Sequence, residues 1–504
     1  MSELLDFKQK IFDTLGVSDT SEISDALLHA VLYNDIAIFD KISSMQSEEK
    51  DMLQSLWQYY ESDREEKKQY YTPKSLCKLV SAIAGDYETV YDCCGGSGAL
   101  TIESAKNEVY VEELDERVIP FLLTNLCMRN LSGYVVNGNV LTGSKNVCYK
   151  LSNGVKYSTC EIVDYVPEIK CDVSVSNPPY NIKWDPPLPL CACDCFPVIP
   201  PASNANYAFA FRCLEKSDRA VMIMPCGAMS SKQEQIVREY LVNCDWLETV
   251  AMMPDNMFES TTISTCIMVI DKHKKHPGEF YFMDCRNVHE TECREQRGQF
   301  GGASHTNRVY KKQFNIFTSK NVSEIVDTIS NRKDKSGFFA VRSAQDIQKE
   351  NYNISPSRYI EFPEQEIRHR ELNEIADNIN YICRMRNSCK LVINETIAKQ
   401  LGLDVDLFKK AKKQSENSSA TLEQIGIHIE KDDYIQFTKN KNDFCFKCNS
   451  RDAIPGIFIQ FFSVWKNQID LLNTMENQYM AELRDAMLPD LMSGKIDVSE
   501  VVCK

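Results

Sequence analysis

The sequence lacks any long apolar run. No segment of the 504 residues approaches the roughly 18 consecutive apolar residues that a membrane-spanning helix needs. The first ten residues, MSELLDFKQK, also lack the charged, apolar and small-residue regions of a signal peptide. We therefore expect a soluble, cytoplasmic protein with no membrane association.

Positive charge is in short supply. The chain has 57 Lys and Arg against 72 Asp and Glu, which gives a formal net charge of −15. A protein that binds nucleic acid by itself usually has a basic surface, so this balance argues against a free-standing binder. If nucleic acid is the substrate, local basic patches or a more basic partner must supply the phosphate contacts.

Histidine is scarce, with 7 residues, whereas cysteine is abundant, with 21. The irregular cysteine spacing and the missing secretory signal indicate reduced thiols. Two clusters, Cys191-x-Cys193-x-Cys195 and Cys445-x-x-Cys448, could bind a metal. Zinc sites usually combine two such clusters or add nearby histidines, so we expect no metal site.

The main chemical signal is the segment DVSVSNPPYNIKW at 172–184. Its first part alternates toward an apolar face, which predicts a half-buried strand. The strand runs into Asn177-Pro178-Pro179-Tyr180, where two prolines end it because neither has an N–H and each fixes φ. We expect these residues at the carboxyl edge of a sheet, where open α/β folds bind ligands.

An amide oxygen beside a rigid backbone carbonyl can accept both hydrogens of an exocyclic amino group. Asn177 and Pro178 offer these two acceptors, and Pro179 stiffens the turn. The ring of Tyr180 can stack on a planar base, an interaction worth roughly 1–3 kcal/mol. The four residues therefore predict methyl transfer to an amino nitrogen, with a plain turn as the alternative interpretation.

A second motif lies upstream. The strand predicted at 89–92 leads into CCGGSG at 93–98, and a helix opens at Ala99. A strand, a glycine turn and a helix are typical of nucleotide binding, because the backbone can approach the ligand closely. The spacing from Asp92 is D-x-x-x-G-x-G rather than the dinucleotide pattern. The next strand ends at Glu113, which can hold a pair of ribose hydroxyls.

Strands alternate with helices through most of the first 270 residues. This order predicts an α/β fold with a mostly parallel sheet and helices on both faces. Thr72 and Pro73 predict a helix start, with Thr72 as N-cap. The domain prediction is a helical N-terminal region at 1–68, a catalytic domain at 69–290, a polar extension at 291–360 and a helical C-terminal arm at 361–504 with a small insert at 403–455.

The order of these motifs resembles the modification (M) subunits of type I restriction–modification systems, a family of N6-adenine DNA methyltransferases. The resemblance covers about 69–360. Segments similar to the family are its first cofactor motif (Tyr71, Thr72, Pro73), its glycine turn (Asp92, Gly96, Ser97, Gly98), its ribose-binding acid (Glu113), its catalytic motif (Asn177, Pro178, Pro179, Tyr180), and 204–209, 254–258 and 353–359. The segment 483–494 resembles the C-terminal segment of specificity (S) subunits.

The resemblance implies a Rossmann-like, S-adenosylmethionine-dependent methyltransferase that acts on DNA. It also implies an S subunit and a restriction (R) subunit as partners. The implied cofactor residues are Tyr71, Thr72, Pro73, Asp92, Gly96, Ser97, Gly98, Glu113, Asn139 and Asn177. The turn reads CCGG where the family usually has PACG, and Asn139 stands where the family commonly has an Asp.

Other functions remain open. An N-P-P-Y motif also serves amino-methyltransferases that act on RNA or on a protein glutamine. The altered glycine turn and Asn139 leave room for a non-catalytic subunit that lends its fold to a complex. A cytosine N4 target is a further alternative to adenine N6.

Overall fold

The computed structural model describes residues 2–46, 51–60, 71–186, 196–258, 263–297, 309–362, 370–371, 373–386, 435–437, 444–446 and 471–486. The chain divides into two compact units, Met1–Pro363 and Glu364–Lys504. The boundaries predicted after residues 68 and 290 lie within the first unit, and the one predicted after 360 lies close to the division. The finer domains remain predictions.

An eleven-stranded sheet forms the centre of the first unit. The described strands of this unit are β1 (Thr89–Asp92), β2 (Glu108–Glu113), β3 (Ser132–Asn139), β4 (Ser144–Ser152), β5 (Thr159–Val163), β6 (Val173–Ser176), β7 (Arg219–Pro225), β8 (Leu247–Met252), β9 (Thr265–Asp271), β10 (Phe280–Asp284), β11 (Glu290–Arg297), β12 (Val309–Ile316) and β13 (Phe339–Arg342). Their order in the large sheet is β13-β10-β8-β9-β7-β6-β1-β2-β3-β4-β5, and β11 pairs with β12 alone.

Most strands of the large sheet point the same way. Neighbours from β3 through β2, β1 and β6 to β7 pair in parallel, and β8 pairs in parallel with β10. Strands β4, β9 and β13 run in the opposite direction. The predicted α/β fold with a mostly parallel sheet is confirmed.

Helices cover both faces of this sheet. The described helices of the first unit are α1 (Ser2–Leu15), α2 (Ile23–Leu32), α3 (Ile36–Met45), α4 (Met52–Tyr60), α5 (Lys74–Ala84), α6 (Ala99–Ser104), α7 (Ile119–Met128), α8 (Asn206–Lys216), α9 (Gln235–Asn243), α10 (Ser319–Asn331) and α11 (Ala344–Lys349). Strand β7 shows the two faces, because successive side chains alternate. Met222 packs in the cluster that contains α8 and α9, whereas Val221 packs in the cluster that contains α5.

Helix α5 begins one residue later than the sequence predicts. Its first helical residue is Lys74, and Pro73 occupies the N-cap position without a side-chain cap. The prediction of Thr72 as N-cap is therefore wrong. Since the hydroxyl of Thr72 accepts a hydrogen bond from Asn177 instead, its position serves a long-range contact rather than the helix start.

The predicted N-terminal helical region is present and packs on α7. Helix α7 is apolar on all sides, which suits a helix buried from two directions. Its residue Phe121 joins the N-terminal cluster, where its ring lies 5.2 Å from that of Trp57. Tyr71 belongs to the same cluster. The N-terminal helices thus form part of the wall behind the first cofactor motif.

The segment 291–360 is more regular than a polar extension. It contains β12, α10, β13 and α11, and β13 joins the large sheet beside β10. Helix α10 begins with a capping box between Thr318 and Asn321, which satisfies backbone donors at its start. The hairpin formed by β4 and β5 was not predicted either.

Among its described residues, the second unit contains two helical segments, 373–386 and 471–486, and a strand pair. Strand β14 (Ile435–Phe437) pairs antiparallel with β15 (Phe444–Phe446) inside the predicted insert. Arg370 Nε donates to Glu482 at 2.8 Å, and Arg386 donates to Glu476. These helices confirm the predicted helical arm. Residues 487–494 of the S-like tail, together with Cys191, Cys193, Cys195 and Cys448, lie outside the described residues.

Within the described part of the chain, no helix has both the length and the apolar composition required to cross a membrane.

Arg238 provides a test of the packing in the first unit. Its side chain is 2% exposed, and it donates to the carbonyls of Tyr352 at 2.7 Å and Ala228 at 3.0 Å. We expect Arg238→Met to lower the free energy of unfolding by about 3 kcal/mol, because two buried carbonyls lose charged donors. Urea unfolding measures the change.

The matched control is Arg358→Met. Arg358 is 51% exposed and pairs with Glu350 at the surface. An exposed pair contributes about 1 kcal/mol or less. Equal losses in the two variants would contradict the assignment of Arg238 as a buried link.

Candidate functional site

Four strands carry polar residues to one edge of the sheet. Asp92, Glu113 and Asn139 are the last residues of β1, β2 and β3, and Asn177 follows β6 directly. After β1 the chain continues to β2 on one side of the sheet, and after β6 it continues to β7 on the other side. The junction between β1 and β6 is therefore the switch point. Ligands of open α/β sheets bind outside the strand ends at such a point.

A cavity of about 340 Å³ lies at this edge. Its walls include most of the predicted site residues, from all three predicted motifs. The lining contains Tyr71, Thr72, Asp92, Gly96, Ser97, Glu113, Asn139, Asn177 and Pro179. The structure therefore brings the first cofactor motif, the glycine turn and the N-P-P-Y turn together around one space.

Two hydroxyl groups contact the Asn177 amide. Asn177 Nδ2 donates to Thr72 Oγ1 at 2.9 Å, and the Tyr180 hydroxyl donates to Asn177 Oδ1 at 2.5 Å. Tyr180 is 4% exposed and belongs to the hydrophobic cluster that also contains the buried residues of α5. Its ring has no free face in this arrangement, so stacking on a base requires the ring to leave this packing. Pro178 is buried.

An asparagine network supports the turn after Tyr180. Asn181 has a φ of +55°, and its N–H donates to Asn206 Oδ1 at 3.1 Å. Asn204 Nδ2 donates back to Asn181 Oδ1 at 3.2 Å, and Asn206 Nδ2 donates to Glu234 at 3.4 Å. Burial raises the pKa of Glu234. The segment 204–209 therefore fixes the path of the chain beyond the turn.

The glycine turn approaches β2 closely. A Cβ on Gly95 would lie 2.2 Å from Val111 Cγ1, well inside contact distance. Gly96 has a φ of +54°, which favours glycine. Its N–H donates to Glu113 Oε2 at 2.7 Å. Gly95, which the sequence did not mark as a site residue, is the position where a side chain has no room.

The Asp92 carboxylate connects the turn to β6 and α6. Its Oδ1 accepts from the Cys94 N–H at 3.1 Å and from Ser176 Oγ at 2.9 Å. Its Oδ2 accepts from Thr101 Oγ1 at 2.9 Å. Burial, with a further contribution from Cys93, raises the pKa of Asp92 to about 7 despite these donors. The carboxylate therefore holds the glycine turn, β6 and α6 together through these hydrogen bonds.

Glu113 and Asn139 also line the cavity. Glu113 Oε1 accepts from the Asp115 N–H at 2.8 Å, and burial raises the pKa of this carboxyl although two backbone N–H groups donate to it. Asn139 Oδ1 accepts from the Leu141 N–H at 3.0 Å. A carboxylate and an amide at neighbouring strand ends can recognise the hydroxyl and ring atoms of a nucleoside.

Ser97 is linked to the N-terminal helices. Its carbonyl accepts from Asn125 Nδ2 at 2.9 Å, and the same nitrogen donates to Asp51 at 3.0 Å. The Ser97 hydroxyl is buried and has no hydrogen-bond partner among the described residues. A buried hydroxyl on the cavity wall without a partner is a feature that a polar ligand can satisfy.

Several cavity residues were not predicted as site residues. The lining also contains Cys93, Cys94, Leu114, Leu141, Ile182, Lys183, Trp184 and Phe209. Most of them lie in or beside segments that the sequence singled out. Cys93 and Cys94 open the glycine turn, Leu114 directly follows Glu113, and Phe209 ends the segment 204–209. Residues 182–184 end the segment that contains Asn177, and Leu141 lies two residues after Asn139.

The family of the chain follows from comparison with known proteins. The model of the N-6 DNA methylase family matches residues 51–369, more than half of the chain. The protein belongs to the N-6 DNA methylase family. The match includes every predicted site residue of this N-6 DNA methylase.

Relatives of this N-6 DNA methylase include subunits of type I restriction enzymes. The methylase subunit of MpnII from Mycoplasma pneumoniae is 25% identical over 338 residues, which are 62% of this chain and 56% of the relative. The HindI methylase subunit from Haemophilus influenzae is 24% identical over 71% of this chain and 77% of the relative. The alignment thus spans little more than half the length of the MpnII subunit.

Among solved structures, the methyltransferase subunit of a type I restriction-modification system from Streptococcus thermophilus has a TM-score of 0.49 and 18% identity to this N-6 DNA methylase. That alignment covers 70% of this chain and 80% of the other. The EcoKI M protein has a TM-score of 0.38 and 13% identity, over 72% of this chain and 85% of that chain.

Gly95→Ala tests the close approach of the glycine turn to β2. The added methyl group would collide with Val111, so we expect a loss of about 1–3 kcal/mol in the free energy of unfolding. Gly227→Ala is the control, because a Cβ there meets no atom within 4 Å. Urea unfolding that gives the same stability for both variants would show that the turn can move away from β2.

The pKa of Asp92 predicts a pH dependence. The folded-state value of about 7 lies above the ordinary value of about 3.9, so between these values the folded chain keeps a proton that the unfolded chain has lost. The contribution of Asp92 to stability therefore falls as the pH rises from about 4 to about 7.

Asp92→Asn removes this titration. We expect the variant to gain roughly 1–3 kcal/mol relative to the wild-type protein between about pH 5 and pH 7.5. Urea unfolding at a series of pH values measures both proteins. Parallel stability profiles would contradict a raised pKa at Asp92.

Proposed function

We propose that this protein transfers a methyl group from S-adenosylmethionine to N6 of adenine in DNA. The observation that carries the proposal is the position of the Asn177 amide. It lies at the wall of the cavity formed by the glycine turn and Glu113, directly after the strand at the switch point. Membership of the N-6 DNA methylase family supports the same reaction.

The residues around the cavity fit S-adenosylmethionine, which supplies a methyl group on a sulfonium. Glu113 stands at the end of β2, where a carboxylate can accept from ribose hydroxyls. The Ser97 hydroxyl is buried there without a partner among the described residues. The cavity also contains Asp92, Asp115 and Asp185, so acidic groups surround a ligand that carries positive charge.

Asn177 would orient the acceptor nitrogen. Its Oδ1 accepts the Tyr180 hydroxyl in this structure, and an incoming amino group would replace that donor. The carbonyl of Pro178 would accept the second amino hydrogen. Two fixed acceptors keep the lone pair of the nitrogen directed at the methyl group and stabilise the positive charge that develops. Correct placement of the reacting atoms supplies much of the remaining acceleration.

Adenine in a duplex must leave the base stack before it can reach this cavity. Tyr180 would then stack on the base only after its ring leaves the hydrophobic cluster in which it is buried. The same movement would free Asn177 Oδ1. In the proposed reaction, base entry and release of the Asn177 amide are therefore one event.

We further propose that the protein acts as the modification subunit of a type I restriction–modification system. The names of the relatives support this assignment. The partners would be an S subunit and an R subunit. The net charge of −15 favours a complex in which the S subunit supplies most phosphate contacts. A tight, strongly salt-dependent complex of DNA with this chain alone would contradict that division.

Transfer of a labelled methyl group to plasmid DNA tests the reaction. The assay uses the chain alone and the chain with its S-type partner, followed by nucleoside analysis. We expect label in N6-methyladenine. Asn177→Ala should lower the rate by about 10²–10³-fold, because a fixed acceptor in the transition state is lost.

Asn331→Ala is the matched control, since Asn331 is an exposed residue at the end of α10. Its rate should equal that of the wild-type protein. Label in methylated cytosine would show that the target base is cytosine rather than adenine. Transfer only to RNA or to a protein glutamine would reject DNA as the substrate.

A further inference from the structure

Thr72 connects the first cofactor motif to Asn177. Its hydroxyl oxygen accepts a hydrogen bond from Asn177 Nδ2 at 2.9 Å, and its side chain is 6% exposed. Thr72 also lines the cavity. The residue that contacts the Asn177 amide therefore also borders the space that we assign to the cofactor.

The main-chain carbonyl of Thr72 is held by contacts from two helices. Gln54 Nε2, from α4, donates to the Thr72 carbonyl at 3.2 Å, and the Cys77 thiol of α5 lies 3.7 Å from the same oxygen. The ring of Pro73 restricts the backbone of the residue before it. Threonine is also stiff at χ1, because it is branched at Cβ. The hydroxyl is therefore a rigid reference point for Asn177.

The Asn177 amide has two chemically different ends. Methyl transfer to an amino group needs Oδ1, the acceptor, toward the incoming hydrogens. A hydroxyl can donate to Oδ1 or accept from Nδ2, so a hydroxyl alone permits both orientations. Once its proton is donated elsewhere, the hydroxyl can only accept. It then holds Nδ2 and directs Oδ1 away from itself.

The proton of the Thr72 hydroxyl is available for such a bond. No group among the described residues accepts it, although Thr72 is buried at the cavity wall. A buried hydroxyl proton without an acceptor is unfavourable. A ligand in the cavity that offers an acceptor atom would remove this cost and commit the hydroxyl to its accepting role.

We propose that Thr72 is a positioning residue that couples cofactor binding to the orientation of the Asn177 amide. With cofactor bound, the Thr72 hydroxyl would donate a hydrogen bond to it and keep its proton. The same oxygen accepts from Asn177 Nδ2, so Oδ1 is presented to the amino group of the substrate. This proposal rests on the proposed function for the identity of cofactor and acceptor. It assigns to Thr72 an effect on methyl transfer beyond its contact with the cofactor.

A comparison of Thr72→Val with Thr72→Ser isolates the hydroxyl. Valine keeps the shape and the branching at Cβ, whereas serine keeps the hydroxyl and loses the methyl group. The assay is single-turnover methyl transfer to DNA at saturating S-adenosylmethionine, with the S-type partner present. We expect Thr72→Val to lower the rate about tenfold and Thr72→Ser to stay within about threefold of the wild-type rate.

A double-substitution cycle tests the coupling without DNA. Calorimetry gives the S-adenosylmethionine affinity of the wild-type chain, Thr72→Val, Asn177→Ala and the double variant. We expect the double variant to lose less S-adenosylmethionine affinity than the product of the two single losses, by a factor of about three or more. The reason is that both substitutions break the same chain of hydrogen bonds.

The outcomes separate this proposal from the proposed function. If the affinity cycle shows coupling but DNA is not methylated, the coupling stands and the DNA reaction is rejected. Methylation of DNA with Thr72→Val at the wild-type rate would overturn the role of Thr72. Equal losses in Thr72→Val and Thr72→Ser would also overturn it, because packing rather than the hydroxyl would then be responsible. Strictly multiplicative effects of the two substitutions on the S-adenosylmethionine affinity would overturn the coupling as well.

Discussion

The buried carboxylate of Asp92 holds together the segments on which the site depends. Its three donors come from the glycine turn, from the end of β6 and from α6. Donors from three segments converge on one small group, so none of these segments can shift without breaking a bond to it. The carboxylate keeps this role although burial raises its pKa. Asn177, which follows β6 directly, therefore takes its position relative to the turn from a residue that performs no chemistry in the proposed reaction.

Much of this site could be predicted from the sequence, because its parts are local signals. Strand β1 ends at Asp92, α6 begins at Ala99, and β6 ends directly before Asn177, as the glycine turn and the two prolines predict. The α/β order followed from the alternation of strands and helices. The predicted roles of the individual site residues remain predictions.

The sequence could not show contacts between distant segments. Thr72 reads as a helix cap because it precedes a proline, yet its hydroxyl contacts Asn177, 105 residues away. The sequence predicts Tyr180 as a stacking face, yet its ring is buried in a hydrophobic cluster. The contact from Asp51 through Asn125 to Ser97 joins three segments whose proximity is set by the packing of α7. In each case a tertiary contact decides between two uses of the same side chain.

The placement of β9 has a consequence for synthesis of the chain on the ribosome. Strand β9 lies between β7 and β8 but follows both in sequence. The outer edge of β7 therefore stays unpaired until Thr265–Asp271 have emerged, although β1, β2, β3 and β6 are already complete. At roughly 5–20 residues per second, the wait from the end of β7 to the end of β9 lasts about 2–9 seconds. During that interval the nascent chain exposes a strand edge with apolar flanks, which is a target for chaperones and for aggregation.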